Sequence, residues 1–354
     1  MKTVVTGDIL RPFPHGGNAS RQNGNIKWFH TLVSHPIKIA TGEPPGIVIG
    51  DPSSFDVWSA FDAMGENTSI ENWAKIYDLE PTDALLQQVV AAFGDYDFVI
   101  NFEGNSLILA CLSRLGIPYI DVVLHPVRYL EDICLAFRGS TPEITERFKP
   151  FLLDPELFYI EASNIKACLM KGKQDNPDDI DIAVFGQTND DKVLIKNGTF
   201  LNLAAPKVSA AMTKQLGGCS FLFKAHPLGD GDFGIYRSGV RFDQVIPTDI
   251  NFYRLLSSGH LKTVISVASS VSVEAKYFGI DGVHLAEYPM RFWPESDSPD
   301  AYVPLAHEYF WSSFWKAALT EGDKNSPQRG FIGRNRLRYS LKNDWGYFDI
   351  SGAM

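Results

Sequence analysis

The chain has 354 residues, of which 45% are hydrophobic and 21% are charged. This length suits two domains of ordinary size, and the composition is typical of a globular protein. The formal net charge of −10 argues against a nucleic-acid binder, which usually carries a basic face, but allows a local pocket that binds a small anion.

Short apolar, β-branched runs alternate with helical patterns along the chain. The first half carries "KTVVTGD", "GIVIGD", "DFVINFEG" and "IPYIDVV", and the second half carries "DIAVFGQ", "SFLFKAHP", "TVISVASS" and "DGVHLAEYP". Helical patterns cover residues 82–93, 107–115 and 271–278, and the last two are followed by Gly116 and Gly279 in C-cap position. This alternation predicts the α/β class with parallel sheets.

A polar stretch at residues 171–181 separates two α/β blocks, and we interpret it as a linker. The sequence therefore predicts two Rossmann-like domains, residues 1–175 and 176–305, whose parallel sheets face a cleft. Residues 306–354 are expected to pack back on the first domain. Because parallel sheets place ligands at the carboxyl ends of their strands, functional residues should follow the strands directly.

Two side-chain patterns mark the last part of the chain. One is an aromatic stripe with helical spacing, which favours core packing over membrane contact. The other is a basic run, interpreted most simply as a solvated face, with an approach to anionic lipid as the alternative. The stripe consists of Tyr309, Phe310, Trp311, Phe314 and Trp315, and the basic run of Arg334, Arg336, Arg338 and Lys342.

Three polar clusters directly follow predicted strands of the second domain. Gln187, Asp190 and Asp191 follow the first strand; Lys224 and His226 follow the second; Ser269, Ser270 and Glu274 follow the third. Free N–H groups at a helix start after Ser-Ser would bind an anion. A nearby histidine would donate to a phosphate oxygen, and a carboxylate one turn into the helix would accept from ribose hydroxyls. Taken alone, each cluster has an ordinary alternative: a helix N-cap for Ser-Ser, a turn for His-Pro and a solvated loop for Asp-Asp.

The order of these clusters resembles a known family. Gln-x-x-Asp-Asp, Lys-x-His-Pro and Ser-Ser-x-x-x-Glu-Ala-x-x-Phe-Gly are similar to the CMP-Kdo-dependent retaining β-Kdo glycosyltransferases of bacterial lipopolysaccharide and capsule biosynthesis. The His-Pro and Ser-Ser motifs are shared with bacterial polysialyltransferases. In the first half, "TGDILRP", "NGNIKWFH", "INFEG" and "HPVRYLED" also look like the lipopolysaccharide branch. The resemblance implies a GT-B-like fold, and it is strongest over residues 185–279.

The resemblance also implies roles for individual residues. His226, Ser269 and Ser270 would hold the CMP phosphate, Glu274 would meet the ribose, and Gln187 and Lys224 would complete the donor site. Asp191 would be the catalytic carboxylate, with Asp190 as its substitute. Glu103 would be general acid or base toward the acceptor hydroxyl. From the residues alone, Asp8 and Arg11 follow the first strand and would line the acceptor side or form a loop salt bridge; Arg128, in the second His-Pro segment, would contact the cleft on the acceptor side or belong to a structural turn.

This chemistry suits a donor that leaves as a phosphate monoester. Cationic side chains and amide N–H groups absorb the developing charge, so the resemblance implies no cofactor and no metal. Retention needs an even number of inversions, which an attacking carboxylate supplies by double displacement through an Asp-linked sugar. The partners implied are CMP-Kdo and a surface-polysaccharide acceptor that is lipid-linked, without nucleic acid.

Two other functions remain open from the sequence. One is a transferase of CMP-sialic acid or another nonulosonic acid, which would share the phosphate motifs. The other is a catalytically inactive module that binds a nucleotide or glycan. With no signal-peptide pattern and no run of the roughly 18 apolar residues that span a membrane, a cytoplasmic location is expected, with peripheral contact at the inner face of the cytoplasmic membrane.

Overall fold

The computed structural model describes residues 1–171, 180–228, 233–320, 335–343 and 345–351. The chain divides into two compact units. Where described, unit 1 comprises Met1–His125, Cys134–Leu153 and Met290–Arg336. Unit 2 comprises Pro126–Ile133, Asp154–Pro289 and Leu337–Met354.

These units differ from the predicted domain ranges in their boundaries. Residues 126–133 and the helix Glu156–Met170 belong to unit 2 rather than to the first domain. Residues 290–305 belong to unit 1, and the predicted C-terminal segment is divided between the units at Arg336. Most of the predicted linker, residues 172–179, lies outside the described residues.

Unit 1 is built on a mixed sheet whose described strands follow the order β13-β5-β4-β3-β1-β2. Strands β1 to β4 run parallel, whereas β5 pairs antiparallel with β4 and β13 antiparallel with β5. The strands are β1 (Thr3–Gly7), β2 (Gly46–Ile47), β3 (Phe98–Phe102), β4 (Tyr119–Leu124), β5 (Leu135–Gly139) and β13 (Val303–Leu305). The fully buried strands β1 and β3 lie in the interior of the sheet, as their continuous apolar runs predict.

Unit 2 is built on a parallel sheet whose described strands follow the order β10-β9-β6-β11-β12. These strands are β6 (Ile182–Phe185), β9 (Phe221–Lys224), β10 (Val245–Pro247), β11 (Thr263–Ser266) and β12 (Asp281–His284). A small antiparallel hairpin of β7 (Ile195–Lys196) and β8 (Thr199–Phe200) follows β6. The prediction of an α/β fold is confirmed: the five-stranded sheet of unit 2 is parallel as predicted, and that of unit 1 has a parallel part, β1 to β4, extended by two antiparallel strands.

Helices flank both sheets. In unit 1 they are α1 (Asn23–Thr41), α2 (Val57–Ala63), α3 (Ile70–Ile76), α4 (Asp83–Phe93), α5 (Ser106–Arg114), α6 (Pro142–Glu146) and α12 (Ser312–Leu319). In unit 2 they are α7 (Glu156–Met170), α8 (Pro206–Leu216), α9 (Phe233–Arg237), α10 (Phe252–Ser257), α11 (Ser270–Ala275), α13 (Arg336–Leu341) and α14 (Tyr347–Ser351). None of the described helices is long and apolar enough to cross a membrane.

The predicted helix boundaries have the expected caps. Thr82 precedes α4, and its hydroxyl accepts a hydrogen bond from the Leu85 N–H. Asn105 caps α5 in the same way through the Leu107 N–H. Gly279 ends the 3₁₀ turn Lys276–Phe278 that continues α11, with φ of 77°, a left-handed conformation that glycine adopts without a steric penalty.

The aromatic stripe is core, as predicted. Tyr309, Phe314 and Trp315 are fully buried and pack around Phe137 of β5. The Trp315 indole N–H donates to the Tyr309 carbonyl, at 2.7 Å. Helix α12, which carries part of the stripe, packs against α1 within unit 1.

Arg336 and Lys342 of the basic run are exposed, as a solvated face requires, but Arg338 is not. Arg338 is only 1% exposed, and its guanidinium donates to the carbonyls of Arg128, Leu130 and Glu131. The buried Asp132 accepts hydrogen bonds from the backbone N–H groups of Leu337 and Arg338, at 2.9 and 3.2 Å. The interpretation of Arg338 as solvated was therefore wrong, while Arg334 lies outside the described residues.

Candidate functional site

The three polar clusters of the second sheet lie side by side. Strands β9, β6 and β11 are neighbours in that order, and they run parallel. Because the carboxyl ends of parallel strands meet at one edge of a sheet, the segments that follow them form a single site region in unit 2. The sequence-predicted donor residues Gln187, Lys224, His226, Ser269 and Ser270 lie at this edge.

The first two segments are held together by a close backbone approach. The Gly186 N–H donates to the Lys224 carbonyl, at 2.9 Å. A Cβ atom at Gly186 would lie 3.1 Å from the His226 backbone nitrogen. A side chain at position 186 would therefore require the His-Pro segment to shift by a few tenths of an ångström, and glycine allows the close approach without that shift.

The structure fixes the tautomer of His226. Its Nδ1 accepts a hydrogen bond from the Leu228 N–H, at 3.1 Å, so the neutral imidazole must carry its proton on Nε2. Burial lowers the pKa of His226, and the charge of the neighbouring Asp191 raises it in part. At neutral pH His226 is thus a neutral group that presents one N–H donor, with Asp191 close by.

Asp191 begins the short 3₁₀ turn Lys192–Leu194 after β6. Its Oδ1 accepts a hydrogen bond from the Val193 N–H, at 3.3 Å, which leaves Oδ2 for another role. Both Asp191 and its neighbour Asp190 are half-buried. The charge of Asp191 acts on His226, whose pKa it raises in part.

Gln187 joins the first segment to the third. Its Oε1 accepts a hydrogen bond from the Ala268 N–H, at 2.8 Å, directly before the Ser-Ser pair. Lys224 lies on the other side, where its Nζ donates to the Asp249 carbonyl and burial lowers its pKa. The Gln187 side chain therefore holds the backbone just before the Ser-Ser pair next to the segment that follows β6.

The Ser-Ser pair starts helix α11 as an N-cap. The Ser269 hydroxyl accepts from the Val271 N–H at 3.5 Å, which is the ordinary structural role of such a residue. The Ser269 N–H in turn donates to the hydroxyl of Ser266, at 3.1 Å. Ser270 is the first residue of the helix and is half-buried.

One residue at this edge was missed by the sequence reasoning. His284 ends β12, and its Nε2 donates to the Ser269 carbonyl, at 2.9 Å. Its ring stacks on Tyr288, and burial lowers its pKa. The available signal was a polar residue at the end of the run "DGVH", which is the same post-strand position as in the other clusters.

Glu274 does not face outward as its proposed contact with ribose would require. It is only 2% exposed, and its Oε1 accepts from the Arg128 N–H at 2.7 Å and from the Tyr253 hydroxyl at 3.0 Å. Burial raises the pKa of Glu274 to about 7, against the opposing effects of these hydrogen bonds and of the Arg128 and Arg338 charges. In this conformation Glu274 anchors residues 126–133 inside unit 2.

The raised pKa of Glu274 predicts a pH-dependent stability. Between the ordinary value of 4.5 and about 7, the folded protein holds a proton that the unfolded chain has lost. Its contribution to the free energy of unfolding is therefore complete below pH 4.5 and lost as the pH rises through 7, by about 3 kcal/mol. Urea unfolding of wild type and Glu274→Gln at pH 5 and pH 8 should show the variant gaining this amount relative to wild type.

A control for this measurement is Glu161→Gln on the half-buried part of α7. The difference between its free energy of unfolding and that of wild type should be the same at pH 5 and pH 8. An equal difference between wild type and Glu274→Gln at pH 5 and pH 8 would contradict the assignment of this titration to Glu274.

Unit 1 carries a second group of predicted residues at the carboxyl ends of β1 and β3. Asp8 is buried, and its Oδ1 accepts from the Arg11 N–H and the Asn105 amide. The Arg11 guanidinium lies 4.9 Å from the centre of the Trp73 ring. Glu103 is half-buried and has a positive φ of 56°, which is uncommon for a residue other than glycine.

Arg128 belongs to unit 2, although it was predicted on the acceptor side with the first domain. Its guanidinium stacks over the Trp345 ring at 4.6 Å, and its N–H holds Glu274. The neighbouring His125 is buried in unit 1, with its ring edge against Phe292. The second His-Pro pair therefore lies at a unit boundary.

No candidate metal centre appears in the part of the chain that the structure describes: no three His, Cys, Asp or Glu side chains are grouped suitably. An open cavity of about 490 Å³ is present in unit 1, but none of the sequence-predicted site residues lines it. Its lining residues are Trp58, Asp62, Gly65, Glu66, Asn67 and Thr68.

Comparisons with known proteins give remote likenesses. No family model matches the chain, and no curated protein does. Among solved structures, the chain is similar to the Thermosulfurimonas dismutans KpsC beta Kdo 2,4 transferase, at 12% identity over 79% of this chain and 78% of that chain, with a TM-score of 0.38.

Two further likenesses have the same identity. For the KpsC beta Kdo 2,7 transferase of the same organism, 12% identity extends over 76% of this chain and 90% of that chain, with a TM-score of 0.33. For S. aureus MnaA in a co-structure with UDP, 12% identity extends over 79% of this chain and 78% of that chain, with a TM-score of 0.27. Because these TM-scores lie below 0.5, none of the likenesses decides the activity.

Proposed function

We propose that this chain is a GT-B-type glycosyltransferase that moves Kdo from CMP-Kdo to a surface-polysaccharide acceptor. The observation that carries the proposal is that the Asp191 and His226 segments follow two neighbouring parallel strands, β6 and β9, and are joined by the hydrogen bond from the Gly186 N–H to the Lys224 carbonyl. In a CMP-activated sugar, the anomeric carbon is bonded directly to a phosphate oxygen. A carboxylate that attacks this carbon must therefore lie beside the group that binds the phosphate.

The chemistry of the site residues supports this assignment. His226 presents Nε2–H as a neutral donor, and Lys224 adds a cationic group at the end of the adjoining strand. Together with the backbone at Ser269 and Ser270, these groups would stabilise the charge that develops on the departing CMP phosphate. Asp191 would form the glycosyl–enzyme ester, and an acceptor hydroxyl activated by Glu103 of unit 1 would then release the sugar with net retention.

The motif order supports CMP-Kdo as the donor, and a donor panel tests it. Purified protein should release CMP from CMP-Kdo faster than from CMP-sialic acid. Faster release from CMP-sialic acid would indicate the nonulosonic-acid alternative, and CMP binding without any release would indicate an inactive binding module. The lipid-linked nature of the acceptor and the location at the inner membrane face belong to the same proposal.

His226→Ala tests the phosphate site directly. Loss of a hydrogen bond to a charged phosphate should weaken CMP binding by roughly 10- to 100-fold, measured by calorimetry. His260→Ala is a matched control because His260 precedes β11 and lies at the opposite edge of the sheet. Unchanged CMP affinity and turnover in His226→Ala would remove His226 from the site.

We also expect the reaction to be independent of metal ions. The proposed charge stabilisation uses side chains and backbone N–H groups alone. Turnover of CMP-Kdo should therefore survive excess EDTA. Complete loss that added magnesium or manganese restores would instead indicate a metal-dependent donor site.

A further inference from the structure

A strained turn in unit 1 carries Glu103. Its φ of 56° lies in the left-handed region, which costs a residue other than glycine on the order of 1 kcal/mol or more of conformational energy. Such a conformation persists only where the surroundings over-determine it, and the next residue, Gly104, leads directly into the Asn105 cap of α5.

Strand β4 holds the turn through three hydrogen bonds. The Glu103 N–H donates to the Val122 carbonyl, at 2.7 Å, and the Glu103 Oε1 accepts from the Leu124 N–H, at 2.6 Å. Both use the backbone of β4. The third bond runs from the Gly104 N–H to Oδ1 of Asp121, at 3.2 Å, and it is the only one of the three that depends on a β4 side chain.

Asp121 is a buried charge whose second oxygen is fixed. It is 2% exposed, and its Oδ2 accepts from the Tyr302 hydroxyl and from the Arg138 guanidinium, the latter at 3.3 Å. The Arg138 guanidinium also stacks over the Tyr302 ring at 4.6 Å. Tyr302 and Arg138 therefore orient the carboxylate so that Oδ1 points to the turn.

The turn has no room to move toward the sheet. A Cβ atom at Gly104 would lie 2.6 Å from Nδ2 of Asn101 and 2.8 Å from Oδ1 of Asp121. Asn101 and Asp121 are cross-strand neighbours on β3 and β4. The backbone of Gly104 therefore lies directly against these two side chains, and its N–H donates to Asp121.

We propose that Asp121 is a positioning residue that sets the direction of the Glu103 carboxylate by holding the strained Glu103–Gly104 turn. The inference rests on the proposed function in one respect, namely that Glu103 activates the acceptor hydroxyl. Misplacing such a group by about 1 Å costs on the order of 100-fold in rate. Arg138 and Tyr302 act one step further away, by holding Asp121.

The test combines acceptor-free turnover with hydrogen exchange. The probe is CMP-Kdo with water as the acceptor, and CMP release is followed in wild type, Asp121→Ala, Asp121→Asn and Arg138→Gln. Asp121→Ala should lower the turnover rate by roughly 10- to 100-fold, with the KM for CMP-Kdo within twofold. Asp121→Asn keeps an oxygen for the Gly104 N–H and should recover most of the rate. Arg138→Gln loosens Asp121 without removing it, so it should lower the rate by less than Asp121→Ala does.

Coupling to Glu103 separates positioning from a general structural effect. In a Glu103→Gln background, Asp121→Ala should lower turnover by less than twofold, because its target has been removed. An equal loss in both backgrounds, or wild-type turnover in Asp121→Ala, would overturn the proposal. This comparison also covers a variant that is merely less stable, since lower stability would act in both backgrounds.

Hydrogen exchange tests the same contact without any activity. The Leu124 N–H is bonded to Glu103, so its exchange should be at least tenfold faster in Asp121→Ala than in wild type and near wild type in Asp121→Asn. Unchanged exchange at Leu124 would refute the positioning role even in a fully active enzyme. If wild type instead releases no CMP while the exchange result holds, the proposed function fails and the role of Asp121 in holding the turn stands.

Discussion

Asp191→Asn should reduce CMP-Kdo turnover by several orders of magnitude while leaving CMP affinity within about twofold. The amide keeps the shape of the side chain and the oxygen that accepts from the Val193 N–H, so the 3₁₀ turn should remain folded. It removes the charged nucleophile, and covalent catalysis does not proceed through an amide. Steady-state CMP release and calorimetric CMP binding measure the two effects separately.

Asp190→Asn is the matched control, because it makes the same replacement of a carboxylate by an amide at the neighbouring acid. It should keep most of the activity. Intact mass spectrometry of wild type with CMP-Kdo and no acceptor should show a one-sugar adduct that peptide digestion maps to Asp191. An active Asp191→Asn enzyme or an adduct on Asp190 or Glu103 would refute the assignment, and a product of inverted configuration would exclude double displacement.

Asp132→Ala should lower the free energy of unfolding by about 3–5 kcal/mol. Asp132 is 5% exposed and accepts from the N–H groups of Ile133, Leu337 and Arg338. Its removal leaves the buried Arg338 guanidinium without the nearest carboxylate, 3.9 Å away, and leaves the start of α13 uncapped. Thermal and urea unfolding, followed by circular dichroism, measure the loss.

The contrasting control is Asp243→Ala. Asp243 pairs with Arg241 in unit 2, but both side chains are largely exposed, at 63% and 74%. Water and salt screen such a pair, so its removal should leave the unfolding transition where it is in wild type. A loss of equal size in the two variants would contradict the importance of burial for the Asp132 contact.

The fold followed from the sequence wherever the signal was local. Eight runs of apolar, β-branched residues became strands of the two sheets, and Thr82 and Gly279 marked element ends as their types predict. The antiparallel strands β5 and β13 were not predicted, because β13 pairs with a strand that precedes it by more than 150 residues. Pairing at that separation leaves no trace in the local pattern.

The candidate site followed from the sequence as a location but not as a set of contacts. The rule that ligands lie at the carboxyl ends of parallel strands brought the Asp191, His226 and Ser269 segments to one edge. Glu274 was misjudged because its partner, the Arg128 N–H, is 146 residues away. The buried, paired carboxylate of Asp121 had a signal in the sequence, because it is a lone acid inside the apolar run "IPYIDVV".

The discontinuous make-up of the two units has a consequence for how the protein is made. The carboxylate of Asp132 accepts a hydrogen bond from the Leu337 N–H, which is 205 residues further along the chain. Closing so long a loop is slow and entropically costly. At a ribosomal elongation rate of about 5–20 residues per second, roughly 10–40 seconds separate the synthesis of the two partners. Nascent unit 2 therefore spends that interval without the Leu337 and Arg338 N–H groups that bind the Asp132 carboxylate. A translational stop before residue 337 would leave this part of its core exposed to proteases and chaperones.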